Sequence, residues 1–304
     1  TGADVTTINA SGMGTGGAIV QTGRTSANAS TYTGSSGNDT FIMMNASDVL
    51  DGGAGTGDTL DINMTQAVGT AIIDLSAADQ IASFNGGANT AVQTGFENVD
   101  LAGLLTNGAV VTGTSAANTL TGSGLVDQID GGAGADTITG GVGNDVLTGG
   151  AGDDSFVFNA VATNGSDTIV DFVIGATADA MEISAVDGDL NATLKVATLS
   201  ANGATLTDLA GGGTASAADV DVIIHLDTAN LASSGDAKTE TNVVAGAITD
   251  NDGAVHVFFN TTSSKIEVYH NTDESAAGGT FTLLASLDGT VAGDIANIVT
   301  ADFS

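Results

Sequence analysis

Asp136, Asp145 and Asp154 stand nine residues apart, each at the sixth place of a glycine-rich unit. The units read GGAGADTIT, GGVGNDVLT and GGAGDDSFV and open at Gly131, Gly140 and Gly149. Gly132, Gly141 and Gly150 hold the second place; Gly134, Gly143 and Gly152 hold the fourth. Ile138, Leu147 and Phe156 hold the eighth. Six residues this rich in glycine make a turn, because glycine alone takes positive φ without strain. Such a turn points carbonyl oxygens inward, and the aspartate adds a charged oxygen. Hard oxygen ligands of this kind suit Ca²⁺. The last three residues make a short strand whose apolar member fills a core.

The register runs beyond the three complete units. Nine residues before Gly131 stands Gly122, with Asp127 and Ile129 in the sixth and eighth places. Another step back gives Gly113, with Asn118 and Leu120. These two units lack the inner glycines, so weaker ion sites are expected there. An upstream block repeats the pattern. GSSGNDTFI opens at Gly34 with Asp39 and Phe41 in register, and Asp48 and Leu50 follow nine residues on. GGAGTGDTLD opens at Gly52 with one extra residue, which shifts Asp58 by one. Isolated Asp-Gly and Asn-Asp pairs are ordinary turn formers; three tandem copies in strict register are not.

The repeat is similar to the calcium-binding nonapeptide of the RTX family of secreted bacterial proteins, glycine-glycine-x-glycine-x-aspartate-x-apolar-x. The resemblance implies a β-roll in which two nonapeptides complete one coil. Turns 18 residues apart then stack on one side and share each ion. It makes Ca²⁺ the expected cofactor. The expected ligands are Asp127, Asp136, Asp145 and Asp154 with their turn glycines, joined upstream by Asp39, Asp48 and Asp58.

The elements that must carry these turns are strands. TLDINM from Thr59, AIIDLSA from Ala71, IASF from Ile81, FENVDLAG from Phe96 and AVVTGT from Ala109 each end in Gly, Asn, Ser or Asp. No stretch keeps helical spacing for three turns; Ser76 to Ile81 could form a single one. The expected fold is all-β. Residues 1–157 read as a right-handed parallel β-solenoid, with nonapeptide blocks at about 25–61 and 113–157. Residues 158–304 read as a C-terminal β-rich, sandwich-like domain. There AVHVFFN and KIEVYHN, separated by TTSS, form a hairpin. The segment from Gly165 to Ser184 resembles the one that follows the last nonapeptide in many RTX proteins. That resemblance makes Asp167, Asp171 and Asp179 further calcium ligands, against a plain reading as solvated acidic turns. The tail resembles the uncleaved address of type I secretion substrates, and FENVDLAG resembles a phrase of bacterial surface-layer and adhesin-like RTX proteins.

Composition narrows the classes. The 304 residues include 36 acidic and 4 basic ones, for a net charge of −32. Such a chain repels nucleic acid and anionic membrane surfaces. With 42% hydrophobic residues it is a folded protein rather than a disordered one, its repulsion relieved by bound cations. There are 44 glycines, no proline and no cysteine. An average chain of this size holds roughly 15 prolines. Their absence suits coils paired through almost every backbone N–H. No disulfide is possible, which leaves calcium as the staple. No apolar run is long enough to span a bilayer, and no signal peptide opens the sequence. It begins at Thr1 in strand-like residues, so residues ahead of Thr1 are expected to have been removed or to lie outside this sequence.

Catalytic constellations are missing. His225, His256 and His270 make no HExxH pair. His256 and His270 could face each other across the hairpin as a transition-metal pair, or be ordinary cross-strand neighbours. There is no GxSxG elbow and no phosphate-binding loop. The expected function is therefore not enzymatic. It is a calcium-dependent structural protein that self-assembles outside the cell into a surface layer, sheath or filament. The alternatives are an RTX adhesin or binding module, with cell-surface polysaccharide as a partner, and the noncatalytic part of a secreted RTX enzyme.

Overall fold

The computed structural model describes residues 7–15, 17, 19–21, 30–43, 46–63, 69–84, 87–158, 164–174, 179–183, 196–199, 206–208, 222–225, 254–271, 281–290 and 294–297. Arg24, Lys195 and Lys238 lie outside them. The chain divides into two compact units, residues 1–154 and 155–304.

In the first unit the strands are short because turns recur every nine residues. In chain order they are β1 (Thr7–Asn9), β2 (Ile19–Gln21), β3 (Thr31–Thr33), β4 (Thr40–Met43), β5 (Val49–Asp51) and β6 (Thr59–Ile62). Next come β7 (Ala71–Asp74), β8 (Ile81–Phe84), β9 (Gly87–Ala88), β10 (Gln93–Thr94) and β11 (Asn98–Asp100). The block with complete repeats holds β12 (Ala109–Thr112), β13 (Thr119–Thr121), β14 (Gln128–Asp130), β15 (Thr137–Thr139) and β16 (Val146–Thr148). Within this unit they form three sheets, ordered β1-β3-β5-β10, β2-β4-β6-β11-β13-β15 and β16-β14-β12-β7-β8-β9. Successive strands of the repeat alternate between sheets, so each coil adds one strand to each wall of a parallel β-solenoid.

The register confirms the coil length. Thr119, Leu120 and Thr121 pair with Thr137, Ile138 and Thr139, and Gln128, Ile129 and Asp130 pair with Val146, Leu147 and Thr148. Both offsets are 18 residues. Alternation along a strand leaves one inward residue in three. Leu120, Ile129, Ile138 and Leu147 are accordingly buried to 1% exposure or less. One wall stacks Phe41, Leu60, Val99, Leu120 and Ile138 in a single column. The core of this unit is mostly aliphatic, with one edge-to-face aromatic pair among its described residues, Phe41 and Phe96, at 5.5 Å.

Between the repeat blocks the coil departs from a purely parallel solenoid. β8 runs antiparallel to β7, and β9 antiparallel to β8. Residues 75–80 are turns and bends rather than a helical turn. The excursion lets β11 stack directly on β6, so the wall continues without a gap. Buried Gln80 ties the junction. Its Nε2 donates to the Leu75 and Phe96 carbonyls at 2.8 and 2.7 Å, and its Oε1 accepts from the Phe96 N–H at 3.0 Å.

The second unit contains β17 (Ser155–Phe158), β18 (Asp167–Ile169), β19 (Ala180–Ile183), β20 (Val196–Leu199), β21 (Leu206–Asp208) and β22 (Val222–His225). It ends with β23 (Ala254–Asn260), β24 (Lys265–Asn271), β25 (Phe281–Leu287) and a 3₁₀ turn at Asp294–Asn297. β23 and β24 form the expected hairpin, and β25 completes an antiparallel trio. No α-helix occurs among the described residues.

Candidate metal centre

Each sixth-place residue is tied by a hydrogen bond to a neighbouring coil. The Asn118 N–H donates to Asp136 Oδ1 at 2.7 Å, and the Asp136 N–H donates to Asp154 Oδ1 at 2.9 Å. On the other wall the Asp127 N–H donates to Asp145 Oδ1 at 2.8 Å, and the Ala109 N–H donates to Asp127. Upstream the Ser30 N–H meets Asp48 Oδ1 at 3.0 Å, and the Asp39 N–H meets Asp58 Oδ1 at 2.7 Å. The extra residue before Asp58 is absorbed in its turn: the offset becomes 19 and the bond survives. Asp39, Asp48, Asp58, Asp127, Asp136, Asp145 and Asp154 are all buried.

The glycines make room for the carboxylates. Gly132, Gly141 and Gly150 take φ of +98°, +100° and +98°, in the left-handed region that side chains avoid. Gly134 sits at +115°, and a Cβ there would press on the backbone of Ala116. A Cβ on Gly131, Gly140 or Gly149 would collide with the carboxylate of its own unit, Asp136, Asp145 or Asp154. Gly143 and Gly152 leave no room either, against the carbonyls of Leu125 and Gly134 respectively.

Units with Ser or Thr at the second place treat their sixth-place residue differently. Ser35 donates its N–H and hydroxyl to Asp39. Ser123 does the same to Asp127, at 2.6 and 3.0 Å, and Thr114 to Asn118. The complete unit at Gly131 has no such hydroxyl, and Asp136 Oδ2 is buried with no hydrogen-bond donor. Asp48 Oδ2 and Asp58 Oδ2 share that condition. Burial therefore pushes Asp136, Asp145 and Asp58 up to about 6 from an ordinary 3.8. Asp127 is also raised by burial, and Ser123 offsets part of the shift.

No cationic side chain among the described residues of this unit answers these charges. The described residues of the first unit include no Lys, Arg or His. Nor do three His, Cys, Asp or Glu side chains converge among the described residues. A bound ion must combine one or two carboxylates with backbone carbonyls. Hard oxygens, buried carboxylate atoms without donors and glycine-lined space fit Ca²⁺. Asp136, Asp154, Asp127, Asp145, Asp39, Asp48 and Asp58, with their turn carbonyls, would hold it. The ion would supply the positive charge the chain lacks.

The period of nine misses three residues of this site. Glu97 accepts the Asp58 N–H through Oε2 at 2.9 Å, across 39 residues of sequence. Gln93 is fully buried and its Nε2 donates to the Asp48 carbonyl at 2.6 Å. Gln80 forms the junction described above. The signal for Glu97 was its place ahead of the strand in FENVDLAG.

In the second unit Asp167 is buried and accepts from Asn164 Nδ2 at 3.1 Å. Asp179 is buried and takes the Val173 N–H at 2.8 Å. Asp171 instead lines a cleft with Asp288 and Asp294. The histidine pair is ruled out by register. His256 stands opposite Tyr269 and His270 opposite Val255, so the two imidazoles leave opposite faces of the sheet.

A parallel coil that stacks one buried carboxylate per nonapeptide is a β-roll. The family model described as the RTX calcium-binding nonapeptide repeat (4 copies) matches residues 27–57, 110–137 and 121–156. These segments are RTX repeats, and calcium is the ion that this repeat family binds. RTX repeat proteins are typically secreted by type I systems. No curated protein matches the chain significantly.

Proposed function

We propose that this is a calcium-dependent, non-enzymatic structural protein, exported by a type I system, that assembles with copies of itself outside the cell. The carrying observation is the column of buried carboxylates with no cationic side chain among the described residues of its unit. A coil of this kind becomes rigid when calcium is plentiful, as it is outside cells. Repetition of one structural unit suits a building element of a surface layer, sheath or filament. Negative-stain microscopy at millimolar calcium is expected to show ordered polymers that come apart on chelation. A strictly monomeric particle at high concentration would overturn self-assembly.

One observation favours an adhesin as the second reading. A cleft of about 350 Å³ in the second unit is lined by Val170, Phe172 and Thr290 with Asp171, Asp288 and Asp294. Apolar surface beside carboxylates suits a polyol such as a surface polysaccharide. Glycan-array binding by a monomeric, calcium-loaded protein would move the assignment there.

A further inference from the structure

Glu97 stands in the coil exactly where no nonapeptide exists. The neighbouring strands fix its place. Asn98, Val99 and Asp100 of β11 pair with Thr59, Leu60 and Asp61 of β6, so the residue before β11 lies above the residue before β6. Those residues are Glu97 and Asp58. The Glu97 and Asn98 N–H groups both donate to the Asp58 carbonyl, at 3.1 and 2.9 Å. On the far side Asn118 Nδ2 donates to the Glu97 carbonyl at 2.6 Å. Glu97 thus stands to Asp58 as Asp154 stands to Asp136: in both pairs the lower aspartate gives its N–H to the carboxylate one coil on, at 2.9 Å. One extra methylene lets the glutamate reach where an aspartate serves elsewhere.

Asp58 supplies a second, independent indication. It is 0% exposed, and its Oδ2 has no hydrogen-bond donor. A Cβ added to Gly55 would stand 2.6 and 2.7 Å from the two Asp58 oxygens and 2.8 Å from the Gly37 carbonyl oxygen. The Asp58 carboxylate and the carbonyl oxygen of the preceding turn therefore lie together beside Gly55, where any side chain would displace them. Two carboxylates, Asp39 and Glu97, flank Asp58 and repel it. No Lys, Arg or His of the described first unit offsets them.

We propose that Asp58 and Glu97 together hold a divalent cation of the calcium type, at a site whose second acid lies outside any nonapeptide. The ion column then continues across the interruption instead of ending at Asp58 and restarting at Asn118. This rests on the calcium reading of the repeats but is separable from it.

The test uses Glu97→Gln in the full chain. The amide oxygen keeps an acceptor for the Asp58 N–H and removes the charge. Calorimetric titration with CaCl₂ is expected to count one ion fewer per chain than wild type. The Tm gain between calcium-free and calcium-saturated protein should shrink with it. Asp136→Asn is the reference, expected to lose its own site independently. Should Glu97→Gln not fold well enough to titrate, Asp58→Asn and Glu97→Asp replace it: a lost ion in the first and a weakened but countable ion in the second support the site. An unchanged ion count and Tm gain in Glu97→Gln, with a site lost in Asp136→Asn, would overturn the Glu97 assignment and leave calcium binding by the repeats intact. No lost site in either variant would place the failure in the repeat reading itself.

Discussion

Asp136 accepts one backbone N–H through Oδ1 and keeps Oδ2 buried without a donor. Asp127 has both oxygens engaged, by Ala109 and by the N–H and hydroxyl of Ser123. The first carboxylate gains most from a cation, because the second already has neutral donors to exchange for it. Asp136→Asn is therefore expected to lower calcium affinity more than Asp127→Asn, by roughly an order of magnitude, in calorimetric titration; equal losses would contradict the distinction. The same burial sets a pH dependence. Asp58, Asp136 and Asp145 titrate near 6 in the folded, calcium-free chain against 3.8 unfolded. A folded pKa above the unfolded one stabilises the fold below the unfolded value and loses that contribution as pH rises through the folded one. Calcium-free protein should thus be most stable below about pH 4 and weaken progressively up to about 6. Calcium affinity should run the other way and fall below about 6, where protons compete for the carboxylates. Melting curves in calcium-free buffer across this range check the first claim, and stability rising with pH would sink it.

At the scale of the element, stacked coils exchange energy mainly with their neighbours. Most of the first unit is a sequence of equivalent contacts, one aliphatic residue upon another. The junction at Gln80 is not equivalent. One side chain there satisfies two carbonyls and one N–H between the antiparallel excursion and the continuing wall. Gln80→Leu would leave those three backbone groups buried without a partner, at about 1–3 kcal/mol for each that water cannot reach. The expected result is a loss of several kcal/mol in denaturant unfolding at saturating calcium. Faster hydrogen exchange at the Phe96 amide should accompany it, with the β13–β16 coils little affected. Uniform loosening of both regions would argue against nearest-neighbour behaviour.

For the whole molecule the decisive quantity is charge. A chain of −32 must hold its acids close along the repeats. Like charges a few ångströms apart in a partly buried setting repel by about 4 kcal/mol at an effective dielectric of 20. A divalent ion between turns reverses the sign of that interaction. At the low free calcium of a cytosol the repeat segments should be largely unfolded, which suits threading through a secretion channel. At millimolar calcium they should fold. Circular dichroism with chelator and then with calcium checks this, and an identical β signal in both would refute it.

Periodicity, with the family resemblance it carried, gave the repeat's fold and the places of its buried carboxylates. The offset of nine placed Asp127, Asp136, Asp145 and Asp154 and their glycines, because identical local turns need identical local residues. The resemblance gave the coil of 18 residues, and the eighth-place residues gave the core column, because only one side chain in each short strand points inward. Glu97, Gln80 and Gln93 obey no period. Their partners lie 39, 16 and 45 residues away, and only the path of the antiparallel excursion brings them there. Whether His256 and His270 share a face was likewise a matter of one residue of register, which the turn decides and composition does not. Chemistry repeated in the chain is legible in the chain; chemistry assembled once, across an irregular coil, is settled only when the tertiary structure closes it.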